Sequence, residues 1–363
     1  MIDQHRHRVT FVDLARALAV VLMVAGHTSS ALLAGRYQSG PWFDAWVFQR
    51  GLTSGLFLLL SGFAFSLATT RHWPSHLRLS AAVVRRVRRF LLFIVLGYAL
   101  HFPVPHVGEL ATATGAQWRS FLAVDVLQLV GLALLALQAL VIVVRSRGLF
   151  MVVNVALAVA IVAAAPAAWR ADWSAVAPVL SAYLSPATGS LFPVLPWAAY
   201  VFLGAGAGQL YARWGAAHIG QYATWAMLVP GLVLVTAGYT ALRGTIPADV
   251  AIRAGACLLV LAGLAYWSQR ISRLPHVFGA VAQESLTIYF VHLCLVYGSI
   301  WNPGLARLYG GALSVAGTTL VALLMVGAMV ALAWQWNRVK HLRPVAARRL
   351  SVAAGVVLVA RLI

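Results

Sequence analysis

Ten stretches of this chain are apolar for long enough to cross a lipid bilayer, and that pattern limits the fold more than any other feature. They lie at about 11–34, 52–70, 87–104, 121–144, 149–168, 192–212, 223–242, 250–267, 280–300 and 312–335. The hydrocarbon core of a bilayer takes roughly 20 residues of α-helix to cross. Backbone N–H and C=O groups at that depth find no water, so each run must satisfy its own hydrogen bonds, and a helix does so. The expectation is therefore an all-α polytopic membrane protein with about ten transmembrane helices and both termini cytoplasmic. No linker or repeat divides the chain, which reads as one transmembrane domain over residues 1–344. A last run, 345–363, carries Arg348, Arg349 and Arg361 and reads as a C-terminal interfacial or cytoplasmic helix.

The direction of insertion follows from the arginines. With the first residue on the cytoplasmic side, the inner segments hold 18 basic residues and the outer segments 7, namely Arg36, Arg50, Arg119, Arg170, Arg243, Arg253 and Arg307. Cytoplasmic loops carry that excess in membrane proteins, and it calls for an even number of crossings. A net charge of +19 would suggest nucleic acid in a soluble chain. Here the cations sit between apolar runs and meet lipid head groups, so no nucleic-acid partner is expected. Cys257 and Cys294 both lie inside apolar runs and read as reduced packing residues. The first run is too long for a cleavable signal and reads as the first anchor.

Against this background the polar exceptions stand out. The run VDLARALAVVLMVAGHTSS carries Asp13, Arg16 and His27. Arg16 and His27 are eleven residues apart, three helical turns, which sets them on one face about 16 Å apart along the axis. Asp13 precedes Arg16 by one turn and is placed to pair with it. Ionisable groups at such depth normally face a bundle interior or a cavity. The bland alternative is that Arg16 snorkels to the interface and His27 bonds a neighbouring helix. In QESLTIYFVHLCLVYG, Ser285, His292 and Ser299 recur every seven residues with Tyr289 one turn before His292, a polar seam on a greasy helix. His292 reads either as a structural hydrogen-bonding histidine or as a second imidazole of the site.

Four arginines in five residues, Arg85, Arg86, Arg88 and Arg89, open the third run. They serve as a topological stop, and their planar guanidinium groups also suit a phosphate-bearing ligand on the cytoplasmic side. The GAGAG of Gly204–Gly208 follows no strand and is no dinucleotide loop; small residues at that spacing let helices approach closely.

Taken in order, VDLARALAVVLMVAGH, GLFLLLSGFAFSLATTR, DVLQLVGLALL, FPVLPWAAYVFLGAGAGQL and ESLTIYFVHL resemble the transmembrane acyltransferase superfamily. Within it the chain is similar to the acyltransferase-three proteins and, in DVLQ, FPVLPW and TIYFVH, closer to the heparan-alpha-glucosaminide N-acetyltransferase-like branch. The resemblance covers about residues 9–300 and implies transfer of an acyl group, usually acetyl, from cytoplasmic acyl-CoA to a saccharide or glycolipid acceptor on the other side. It implies acetyl-CoA as co-substrate, with no metal expected. The family's arginine and histidine fall on Arg16 and His27, and its paired arginines on Arg85 and Arg88 or on Arg86 and Arg89. His27 would then act as general base or as acyl carrier, Arg16 and Asp13 would orient the site, and the arginines would grip CoA phosphates. A proton-coupled transporter or flippase using Arg16 and His27 is the reading from another class. Broken helices would favour it.

Overall fold

The computed structural model describes residues 9–271 and 273–361; Arg6 and Arg8, included in the count of inner basic residues, lie outside them. Among the described residues the chain is helical throughout, with β-pairing limited to two isolated bridges, Leu33–Leu313 and Ser299–Asn302. The helices are α1 (Thr10–Leu32), α2 (Pro41–Arg71), α3 (Trp73–His76), α4 (Ala81–Leu100), α5 (Gly115–Leu122), α6 (Val126–Val144), α7 (Arg147–Arg170), α8 (Pro178–Leu184) and α9 (Val194–Leu210). They continue as α10 (Ile219–Tyr222), α11 (Val229–Tyr239), α12 (Ile246–Ser268), α13 (His276–Gln283), α14 (Ser285–Tyr297), α15 (Gly304–Tyr309), α16 (Val315–Leu342) and α17 (Pro344–Ala360).

Among the described residues, seven helical stretches are long and apolar enough to span a membrane, or eight if the bent pair α13–α14 counts as one span. The other two of the ten apolar runs are helical as well. α4 opens on its four arginines, and α9 has only 17 residues.

The chain divides into two compact units, Met1–Thr53 with Leu100–Trp118 and Ile271–Ile363, and Ser54–Ala99 with Arg119–Arg270. The first is built on α1, α13, α14 and α16. Ala17, Val20 and Val24 of α1 pack with Val281, Ile288, Val296, Met325, Met329 and Ala333 in one buried cluster. Lipid tails are as apolar as these side chains, so close van der Waals packing, rather than escape from water, holds the helices together. The end of α1 is clamped by the backbone: Ala34 N–H donates to the Leu313 carbonyl at 2.9 Å, and Leu313 N–H to that of Leu32 at 3.0 Å. From Ser314, which caps its first turn, α16 runs the length of the unit to Leu342. α17 then starts at Pro344, and the Trp301 indole donates to the Leu358 carbonyl at 3.1 Å. Trp301 lies between α14 and α15, at the end of the unit where Leu32 and Leu313 meet. α17 therefore travels back along the unit, toward the α1 C-terminal end.

The second unit shows why small residues matter inside a membrane. A Cβ on Gly62 or Gly204 would fall into the carbonyls of Val201 and Leu59, and one on Gly208 against Phe63, so α2 and α9 touch backbone to backbone. Asp125 and Gln128 of the DVLQ segment form a capping box on α6. In FPVLPW the backbone leaves the helix at Leu195, and the freed carbonyl accepts from the Trp169 indole at 2.8 Å.

Candidate active site

His27 sits a turn and a half before the end of α1, on the stripe that continues through Met23 and Val20, both buried. That stripe faces α13, α14 and α16 rather than lipid, because Ala17, Val20 and Val24 belong to the shared cluster. Asp13 is buried and Arg16 half-buried at the opposite end of the same helix. His292 comes from α14 and is fully buried. Its Nε2 lies 3.3 Å from Nδ1 of His27, with ring centroids 5.2 Å apart. Two imidazoles that are 265 positions apart in sequence thus meet side by side.

The hydrogen-bond geometry is that of one pair of tautomers. His292 Nδ1 lies 2.8 Å from the Ile288 carbonyl, which only accepts, so Nδ1 bears the hydrogen. In the neutral ring Nε2 is then the acceptor and His27 Nδ1 donates to it. Tyr289 meets His292 edge-on at 5.7 Å, and Tyr297 meets His27 edge-on at 5.7 Å while its hydroxyl donates to the His27 carbonyl at 3.4 Å. The seven-residue seam stops short of Ser299, which the sequence reading placed on the same helix. Gly298 adopts φ +87° and ends α14, and a Cβ there would strike the Pro303 carbonyl. Ser299 Oγ turns instead to the Asn302 side chain at 2.7 Å.

α14 also begins with a defect. The axis bends by 71° between α13 and α14 at Glu284, whose φ/ψ of −94°/16° are not helical. Glu284 is buried and accepts from Lys340 of α16 at 2.7 Å, while Asn337 donates to both Gln283, at 2.9 Å, and Glu284, at 3.2 Å. The break is therefore fastened to α16 by a charge pair.

In the second unit the four arginines of α4 are not equivalent. Arg86 is half-buried: Nη1 donates to Thr69 Oγ1 at 2.7 Å, and the guanidinium lies 5.4 Å from the Phe65 ring. Arg85, Arg88 and Arg89 are exposed, Arg89 lying 5.9 Å from the Phe93 ring. Beside them, burial, then Arg86, then His72, push His76 down to about 4, so its ring is neutral at pH 7 and adds no charge to the cluster.

The sequence profile of the heparan-alpha-glucosaminide N-acetyltransferase catalytic family matches residues 8–243. The chain belongs to this family. Membership implies an acetyltransferase, and the matched residues include Arg16, His27 and the arginines of α4. His292, which touches His27, lies beyond residue 243. No curated protein matches this family member. Sequence reasoning counted Arg50 only as an outer-segment cation and gave Tyr297 no role. The signal for both was spatial rather than local, since each acts on α1 from another helix.

Proposed function

We propose that this member of the acetyltransferase family moves an acetyl group from acetyl-CoA to a hydroxyl or amine of a saccharide acceptor, with His27 as general base. The contact between His27 Nδ1 and His292 Nε2 carries the reading, because a neutral His292 with its hydrogen toward the Ile288 carbonyl takes the His27 Nδ1 hydrogen at Nε2 and turns the His27 ring to use its other nitrogen as the base. As the acceptor oxygen or nitrogen attacks the thioester carbonyl, its proton passes to His27 Nε2. The C–S bond then breaks, and the departing thiolate recovers that proton as CoA thiol. His292 acts through His27 as a positioning residue: it holds the tautomer and shares the imidazolium charge, which the Ile288 carbonyl also faces through Nδ1–H. Arg85, Arg88 and Arg89, being exposed, suit the phosphates of the donor, while Arg86 is held inward by Thr69. Asp13 and Arg16 would order the cytoplasmic end of α1. The protein is placed in the plasma membrane, and the arginine count supports residue 9 inside and the α1 C-terminal end outside.

The test is acyl transfer in proteoliposomes with radiolabelled acetyl-CoA and a saccharide acceptor. His27→Ala should insert normally and lose at least about 100-fold in rate. Full activity in that variant removes the assignment, and label retained on the wild-type protein itself would make His27 the acyl carrier instead.

A second reading has one observation behind it. A helix broken by 71° at a buried carboxylate is a feature that transporters place at their binding sites. Uptake of an unmodified solute without any acylated product would favour transport.

A further inference from the structure

Arg50 counts in the sequence reading only as an outer-segment cation, and the proposed reaction does not use it. It lies on α2, half-buried, and among the described residues no carboxylate pairs with it. Its partner is an aromatic ring: the guanidinium stands 4.9 Å from the Trp46 ring centroid, and Trp46 in turn lies 5.5 Å from Phe43. The stem of Arg50 crosses Gly26, the residue before His27, with Cγ 3.4 Å and Nε 3.9 Å from where a Cβ would stand. The stem therefore packs at van der Waals distance against the turn of α1 that carries the histidine.

Helical spacing extends the feature outward. Trp42, Trp46 and Arg50 are four apart, so they share one face of α2, and Trp42 is 90% exposed. α2 has 31 residues, about 46 Å of helix, while its apolar stretch starts only at about residue 52. The ladder therefore leads from water at Trp42, past Trp46, to an unpaired guanidinium beside the His27 turn. Indole faces stack on the C–H faces of sugar rings, and a guanidinium takes a carboxylate or phosphate through two parallel hydrogen bonds.

We infer that the Trp42–Trp46–Arg50 face of α2 is the acceptor subsite, and that it selects a saccharide carrying an anionic group, which Arg50 holds. This rests on the acyl-transfer reading for its place in the reaction, but the binding itself does not depend on it. Lysine would not serve equally, since an ammonium offers no planar fork and packs less well on an indole.

The test is equilibrium binding of radiolabelled glucuronate to the purified full-length protein in nanodiscs, competed with glucose 6-phosphate and with glucose. The wild type should hold at least one of the two anionic sugars about tenfold or more tighter than glucose, the scale of one charge-assisted bidentate contact. Arg50→Gln should abolish the preference, and Arg50→Lys should keep part of it and guard against a folding defect. Trp46→Ala should weaken charged and neutral sugars alike. Equal affinity for charged and neutral sugars, no sugar binding at all, or a preference that survives Arg50→Gln would each overturn the inference. Binding needs no acyl donor. A wild type that prefers the anionic sugar yet transfers no acetyl group would refute the proposed reaction and leave this subsite standing.

Discussion

At the scale of the residue, His27 was legible because an imidazole in a greasy helix is expensive and so demands a reason. Its chemistry was not legible. The ring is oriented by two contacts, Ile288 carbonyl with His292 and His292 with His27, and the second depends on α14 lying against α1. If His292 sets the tautomer, His292→Phe should lower kcat about 100-fold with little change in KM for acetyl-CoA. The pH–rate profile should change as well, because the second imidazole no longer shares the proton. A variant that merely loosened packing would leave the profile where it was, and that result would return His292 to a structural role. Asp125 shows the opposite case. In the DVLQ segment its box with Gln128 makes it a helix cap.

At the scale of the element, the break between α13 and α14 was invisible in the hydropathy pattern. Residues 280–300 read as one apolar run, and no proline marks the bend. Glu284 forces it: a carboxylate in mid-run must find a cation, and Lys340 on α16 supplies one at 2.7 Å. Losing one partner of a fully buried pair costs about 3–5 kcal/mol. The Lys340 side chain is 44% exposed, which places Lys340→Met nearer 2 kcal/mol. A thermal melt of the detergent-solubilised protein should show that loss, and Glu284→Gln, which removes the charge but keeps the Asn337 contact, should cost less. If both variants melt with the wild type, the pair does not hold the break. The small-residue stripe of α9 was readable from GAGAG alone, but its partner was not. Only the fold brings Gly62 of α2 against it.

At the scale of the whole molecule, the arginine count and the path of the last helix give different answers about residue 360. An even number of crossings with cytoplasmic ends keeps 345–363 on the inner face, as the sequence reading has it. The bond from Trp301 to Leu358 instead carries α17 to the end of the first unit where α1 finishes. A cysteine at position 360 in a chain with Cys257 and Cys294 replaced decides between them. The Trp301 bond leads to labelling by a membrane-impermeant maleimide from the outside of intact cells; labelling only after lysis would return α17 to the inner surface. Composition and hydropathy alone determined that this chain is a bundle of membrane helices and where most of them run, because a bilayer offers the backbone no other way to pair its hydrogen bonds. They also singled out Arg16, His27 and the arginines of α4, since charge in an apolar run is conspicuous. What meets what was left to the tertiary structure. Lipid surrounds every helix with the same solvent, so hydropathy carries no information on which faces adjoin, and only packing brings His292 to His27 and Lys340 to Glu284.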